Sequence, residues 1–486
     1  MTDVDVTAQP RVSAIRSGRR PAPRGGRSPL PVLMCGVFMI VLDFFIVNVA
    51  LPSLQAGLHA SSSALEWVVA GYGLTFAVLL IGAGRLGDLY GRRLVFCAGL
   101  ALFVAASALC GLAPSAPALI AARLVQGAGA ALISPNVLSI IGLAYPGPAR
   151  VRAITIYGMV MGLAAAGGQL IGGILIQANV FGLGWRMVFL INVPVGLAAL
   201  GFAPRQLPQS RPDRAAQASR ALASQLDIGA MMLVTAGLTA LMLPLVDGVA
   251  LHWPTWTWVS LAASPALLGV FAARELRLSR RGHAPLLDLT LLRHRGLATQ
   301  LAFWCRQASF FLVLALYLQS GRGLDALQAG LVFSILAAAY LVTSLRAPGL
   351  TLRFGRSLEA VGALTLAAGH GLLLLTVALL GAGGNAGWLA PGLILVGAGM
   401  GLCLTPLTTT VLAHATPERA GAVSGVLSTM QQVGNAPGVA VTGVIFFGAL
   451  HAGYTRAFEL SLTELACLLL TVAALTRLLP RRPAAS

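Results

Sequence analysis

The chain of 486 residues is 57% apolar and only 10% charged, with a mean hydropathy of +0.83, and no water-soluble fold covers so much hydrocarbon with so little polar surface. A soluble globular protein is thereby excluded. The formal net charge of +18 would point to nucleic acid in a soluble chain, but here its distribution matters more. All 33 basic residues are arginines. Arg186, Arg322 and Arg456 fall on the far side of the apolar runs and Arg123 and Arg306 within them, while the rest lie on the amino-terminal side. This is the positive-inside bias, which predicts cytoplasmic termini and no nucleic-acid partner.

The apolar runs are continuous and rich in Leu, Ala and Gly, without the period-2 alternation of a closed barrel, so they predict helices. Residues 1–29, rich in Arg, Pro, Gly and Ser, read as a disordered basic cytoplasmic tail. The run that follows exceeds a signal-peptide core and lacks a clear small-x-small cleavage site, so it reads as a retained first span. Spans of about 20 residues are expected at 30–51, 64–83, 94–112, 117–142, 153–177 and 186–203, forming an amino-terminal six-helix bundle over 30–203. A cytoplasmic linker at 204–226 leads to two more runs, 227–246 and 256–273, an extra hairpin whose turn carries His252, Trp253, Trp256 and Trp258 at headgroup level. A second linker, 274–296, precedes runs at 297–319, 327–346, 357–381, 387–412, 421–449 and 460–479, a second bundle over 297–479 with a tail at 480–486. The expectation is an all-α polytopic membrane protein with fourteen transmembrane helices, two six-helix bundles and a central hairpin.

The halves echo one another. Gly127-Ala128-Gly129 precedes Ser134-Pro135 in the first, and Gly397-Ala398-Gly399 precedes Thr405-Pro406 in the second, each followed by a short basic turn. The six cysteines, Cys35, Cys97, Cys110, Cys305, Cys403 and Cys467, fall in apolar runs and read as small core residues. The seven histidines are scattered without metal-ligand spacing, and no P-loop is present, so no metal, no cofactor and no ATP-driven step is expected.

Between spans two and three stands Gly84-Arg85-Leu86-Gly87-Asp88-Leu89-Tyr90-Gly91-Arg92-Arg93. An acid among glycines followed by paired arginines can bond to helix ends and hold a tight turn that breaks as bundles rock; it also serves as a plain positive-inside turn. The run resembles the G-x-L-x-D-x-x-G-R-R loop motif of the major facilitator superfamily, with Leu89 where that motif has a basic residue. Span four carries Leu119, Arg123, Gln126, Gly127, Gly129 and Ala131, similar to the family's L-x-x-x-R-x-x-Q-G-x-G-x-A. Span one carries Leu42-Asp43-Phe44-Phe45-Ile46-Val47-Asn48-Val49-Ala50-Leu51-Pro52, which resembles the family's fourteen-helix drug:proton antiporter branch. Gly167-Gly168-Gln169-Leu170-Ile171-Gly172-Gly173 in span five resembles the antiporter motif G-P-x-x-G-G with Gln169 in place of its Pro, so the kink that Pro would give is not expected.

An arginine in mid-membrane is a functional candidate by default, and Asp43 is taken as the only carboxylate deep in the first half. Asp43 and Arg123 are therefore the candidate proton-coupling pair, with simple packing roles as the alternative. Gly84, Asp88, Gly91, Arg92 and Arg93 are the candidate gate. Asn48, Gln126, Gln169, Arg306, Gln307, Gln431, Gln432 and Asn435 are candidates to line a substrate cavity, interhelical hydrogen bonding being the alternative. Trp304, Phe310, Phe311 and Tyr317 read as core or lipid contacts.

The resemblance implies proton-coupled export of a small drug or antibiotic from a bilayer-embedded monomer in the cell inner membrane, by alternating access and without enzymatic chemistry. Two arginines and one carboxylate lean toward a neutral, zwitterionic or anionic substrate. An importer of small metabolites is the alternative, and a non-transporting membrane sensor or enzyme is the remote one.

Overall fold

The computed structural model describes residues 28–146, 148–208, 227–281, 295–354, 357–413 and 420–477. The amino-terminal tail, most of both linkers and the carboxy-terminal tail lie outside the described residues. The helices are α1 (Leu30–Leu58), α2 (Ser62–Tyr90), α3 (Arg92–Gly111), α4 (Ala116–Ala144), α5 (Pro148–Ala178), a short α6 (Met187–Leu190) and α7 (Asn192–Gln206). They continue with α8 (Ile228–Asp247), α9 (Thr255–Arg280), α10 (Arg295–Leu316), α11 (Ala326–Phe354), α12 (Ser357–Leu380), α13 (Ala390–Ala413), α14 (Ala420–Gly448) and α15 (Tyr454–Arg477). Each expected apolar run falls on one of these, the sixth being shared by α6 and α7. Among the described residues ten helices are long and apolar enough to cross a membrane, or eleven if the bent α5 counts as one span.

Polar residues mark the ends. Ser61 and Ser115 cap α2 and α4 through Ala64 N (3.2 Å) and Ala118 N (3.4 Å). Asp325 and Gln328 exchange hydrogen bonds of 2.7 and 3.2 Å as a capping box at the start of α11. Several helices outrun their apolar cores: α1 continues past Pro52 to Leu58, and α9 passes into the expected linker as far as Arg280. The two halves of α5, Arg152–Ala165 and Gly167–Ala178, meet at 43°. The bend is therefore present without its proline, between Ala165 and Gly167 and beside a Gly-Gly pair.

Helices α1–α7 pack as one bundle and α10–α15 as a second; the two touch chiefly through α2 on α14 and α5 on α11. The Gly-Ala-Gly repeat has a packing cause. A Cβ at Gly127 would collide with the Tyr72 carbonyl of α2, and one at Gly129 would lie 2.7 Å from Phe103 N of α3. In the second bundle Gly397 seats α13 on the Leu336 carbonyl of α11, and Gly399 seats it 2.6 Å from Leu366 of α12. The α8–α9 hairpin joins the seam: α8 packs on α2 and α14, and α9 packs mainly on α8. Below, the near end is that of the amino terminus and the far end is the opposite one.

Candidate functional site

In the core of the first bundle, Asp43 of α1 and Arg123 of α4 form an ion pair, both fully buried. Arg123 also donates from Nε to the Val68 carbonyl (2.9 Å) and from Nη1 to Gln126 Oε1 (2.7 Å), and lies 4.3 Å above the Tyr72 ring. Gln126 Nε2 donates to Asp43 Oδ1 (2.8 Å) and Ser107 Oγ (2.7 Å), and Asn192 Nδ2 donates to Asp43 Oδ1 (3.0 Å). Three helices, α1, α4 and α7, thus meet at one carboxylate, the arrangement that makes a buried charge tolerable.

Between the bundles lie two adjoining compartments of about 40 and 50 Å³. Val41, Phe45, Met161 and Gln431 border both. Phe44, Phe76 and Tyr157 complete the first, and Trp304, Gln307, Phe311, Tyr340 and Met400 the second. Phe45 meets Phe311 edge-on at 4.9 Å across the two bundles. The far end above this cavity is sealed. Gln319 Nε2 donates to the Val49 carbonyl (2.9 Å), Gly173 packs within 2.9 Å of Leu327 Cα, and Gly330 within 2.8 Å of the Gln169 carbonyl, each distance to the glycine measured from the Cβ it lacks.

The second bundle buries Arg306 of α10 completely, between Gln307 Oε1 (2.9 Å from Nη2) and His370 Nε2 of α12 (3.4 Å from Nη1). His370 Nδ1 lies 2.7 Å from the Leu366 carbonyl, so it donates there and leaves Nε2 as the acceptor for Arg306, the neutral tautomer. No carboxylate among the described residues pairs with this guanidinium, and its Nε has no partner.

At the near end α2 passes into α3 through Gly91 alone, at φ 97°, a conformation that favours glycine. Arg92 Nη1 donates to the Ser139 carbonyl (3.3 Å) in the last turns of α4, and Arg93 Nη1 to the Leu207 carbonyl (3.4 Å) just past α7. Cations thus sit at two helix carboxyl ends, where the helix dipole favours them. Gly84 sits on the face of α2 toward Pro135. The Asp88 side chain lies outside the described ones.

Of the expected cavity residues, Gln307 and Gln431 line it. Gln126 does not; it belongs to the Asp43 network. Arg306 stands behind Gln307 in the second core rather than on the cavity surface. Gln169 makes the interhelical bond weighed as its alternative, Nε2 to the Phe45 carbonyl at 2.9 Å, and Asn48 bonds to the same carbonyl at 3.1 Å within its own helix. Asn435 is buried with Oδ1 unpartnered, and the Gln432 side chain lies outside the described ones. Trp304 and Phe311, read as core or lipid contacts, are buried in the core and also border the cavity. Asp43 is not the only sheltered carboxylate of the first half, because Glu66 of α2 is just 3% exposed. Ser107, Asn192, Tyr72 and His370 were missed as well. Asn192 and His370 carried a signal, each a lone polar group inside an apolar run; Ser107 and Tyr72 carried none.

Residues 33–439 match the family model described as Major Facilitator Superfamily. The chain is 39% identical over 437 residues to a probable actinorhodin transporter of Streptomyces coelicolor, covering 88% of this chain and 74% of that one. It is 36% identical over 485 residues to the cephamycin export protein CmcT of Amycolatopsis lactamdurans, covering 96% and 95%. It is 32% identical over 424 residues to the tetracenomycin C resistance and export protein of Streptomyces glaucescens, covering 86% and 76%. In fold it is similar to a POT family transporter solved with 5-aminolevulinic acid (TM-score 0.66, 17% identity, 93% and 96% covered). A D-xylose-proton symporter is similar too (TM-score 0.64, 15% identity, 93% and 97% covered). A family model matched across most of the chain, two helical bundles meeting at a central cavity, and the loop and span-four motifs in place together make this chain a multi-pass membrane protein of the Major Facilitator Superfamily.

Proposed function

We propose that the chain exports an antibiotic or similar drug-like molecule in exchange for protons, its two bundles rocking about the central cavity. Three relatives named for antibiotic transport, export or resistance support the cargo and its direction. The observation that carries the coupling is the placement of α1. One face holds Asp43 in the network of the first bundle, and the next two residues, Phe44 and Phe45, border the cavity. Protonating Asp43 removes the charge that Arg123, Gln126 and Asn192 converge on, so α1 is freed to shift and its aromatic pair shifts with it. Arg123 draws the proton off again by favouring the ionised carboxyl.

The compartments of about 40 and 50 Å³ are far smaller than the roughly 300–1,000 Å³ of a drug-sized site. Loading therefore requires the near ends of the bundles to part while the far end stays shut. The arginine bias supports a cytoplasmic near end and cytoplasmic termini; we take fourteen spans in the plasma membrane and a monomer as the working unit. The turn at Gly91, with Arg92, Arg93 and Asp88, holds the near end closed in the opposite state.

The cavity environment favours a neutral or acidic cargo. In the first core Asp43 is neutralised by Arg123, while Arg306 stands unneutralised one layer behind Gln307. Expression in a drug-sensitive host, profiled with acidic and neutral antibiotics and with cationic dyes, tests the reading. Resistance to the first two classes is expected, and its loss in Asp43→Asn at equal expression. Unchanged resistance in that variant removes the proton role, and resistance to cationic dyes alone removes the charge preference.

A further inference from the structure

A buried carboxylate outside the Asp43 network remains unused. Glu66 lies in the second turn of α2, at the far end, and its Oε2 has no hydrogen-bond partner. It is pressed onto the backbone of α14 at Gly443, where any Cβ would collide with the carboxyl. The neighbouring Trp67 donates from Nε1 to Asp247 Oδ1 (3.2 Å), at the far end of α8. Three elements therefore meet here: a helix of the first bundle, a helix of the second, and the extra hairpin.

Asp247, held by the residue next to Glu66, carries a charge of the same sign as an ionised Glu66. α14 offers a glycine. Glu464 of α15 is engaged by Thr442 (3.1 Å), the residue before it. No cation among the described residues pairs with Glu66 or Asp247. An ionised carboxyl held against a helix backbone, with no donor and with a like charge nearby, opposes the contact that buries it. A neutral one does not.

We propose that Glu66 is a second proton-binding site, one that must be filled before the far end of the α2–α14 seam can close. When the seam parts, water reaches the carboxyl and it ionises; capture of one proton converts the carboxylate to the acid, and the seam shuts over it. The hairpin takes part through Asp247, which Trp67 holds in place. Because Gly443 is the surface it closes on, the site reports the approach of α2 to α14 and not the binding of cargo. The inference rests on the alternating-access reading above, but it concerns a different proton site from Asp43.

The test uses the full-length chain in lipid nanodiscs, its six cysteines replaced by alanine, with spin labels at Ser63→Cys and Gly448→Cys across the far end. A second pair, Ala149→Cys and Arg353→Cys, spans the near end. Pulsed dipolar distances are followed as pH is raised without any substrate. The far-end pair is expected to move from one short distance to a mixture with a longer one, and Glu66→Gln is expected to hold the short distance throughout. Glu66→Asp, which keeps an ionisable carboxyl, is expected to restore the response and guards against a folding artefact in the glutamine variant. If Glu66→Gln follows the pH response of the parent, or the parent shows none at the far end while the near-end pair still moves, the proposal is overturned. If neither pair moves under any pH, alternating access itself fails.

Discussion

The two bundles are built to one packing plan and filled with different chemistry. α4 and α13 each seat a first glycine, Gly127 or Gly397, on the second helix of their bundle and another, Gly129 or Gly399, on the third. Yet where the first bundle has Arg123 the second has Leu393, as deeply buried. The seat therefore needs small residues and not a charge. The first core holds a neutralised pair stitched into four helices; the second holds a lone guanidinium on a neutral histidine and an amide. Packing alone therefore does not account for the charge at Arg123. In the proposed proton cycle only Asp43 can change charge, since the Arg123 guanidinium stays protonated. The lone cation suits a standing field because no neighbour switches it off.

The largest effect should come from breaking the pair on one side. Arg123→Leu leaves Asp43 buried and uncompensated, and is expected to cost about 3–5 kcal/mol in denaturation of the purified protein, with loss of resistance. Asp43→Leu combined with Arg123→Leu should recover most of that stability and none of the resistance, which separates packing from function. Gly127→Ala and Gly397→Ala come next, at about 1–3 kcal/mol each, since both drive a methyl into a neighbouring carbonyl. A large cost at one and none at the other would break the claim of a shared plan. Arg306→Leu removes a buried charge that no carboxylate balances but strips Gln307 Oε1 and His370 Nε2 of their donor, and should cost about 1–3 kcal/mol. It should reduce resistance to acidic antibiotics about tenfold relative to neutral ones, or roughly 1.4 kcal/mol; an equal fall for both classes would reduce Arg306 to a structural part. Gln169→Leu removes one interhelical bond to the Phe45 carbonyl, and a loss near 0.6 kcal/mol by the same denaturation assay is the smallest change expected.

Much of the fold was legible because a bilayer imposes one demand, that backbone groups be satisfied within the segment, and long apolar runs meet it only as helices. The arginine-marked turns and the Gly-Ala-Gly echo located the bundles, and Asp43 and Arg123 stood out because an unpaired charge is costly in such runs. Absence of proline does not predict the bend in α5, which falls between Ala165 and Gly167, beside the Gly167-Gly168 pair. Gln126 and Gln307 could not be told apart. Both are amides in apolar helices, but one turns inward to Ser107 and the other to the cavity.

The sequence by itself determined the membrane, the helices, their order, the family motifs and the identity of the two buried arginines. Only the tertiary structure decided which polar groups meet, that Phe311 and Trp304 face the cavity, that Arg306 stands behind it, and that Glu66 rests on Gly443 beside the hairpin's Asp247. The physical reason is the solvent. In water a helix advertises its buried face by an apolar stripe, but lipid is as apolar as leucine. A transmembrane helix can be apolar all round, and which side meets a neighbour is settled by close packing between helices far apart in the chain.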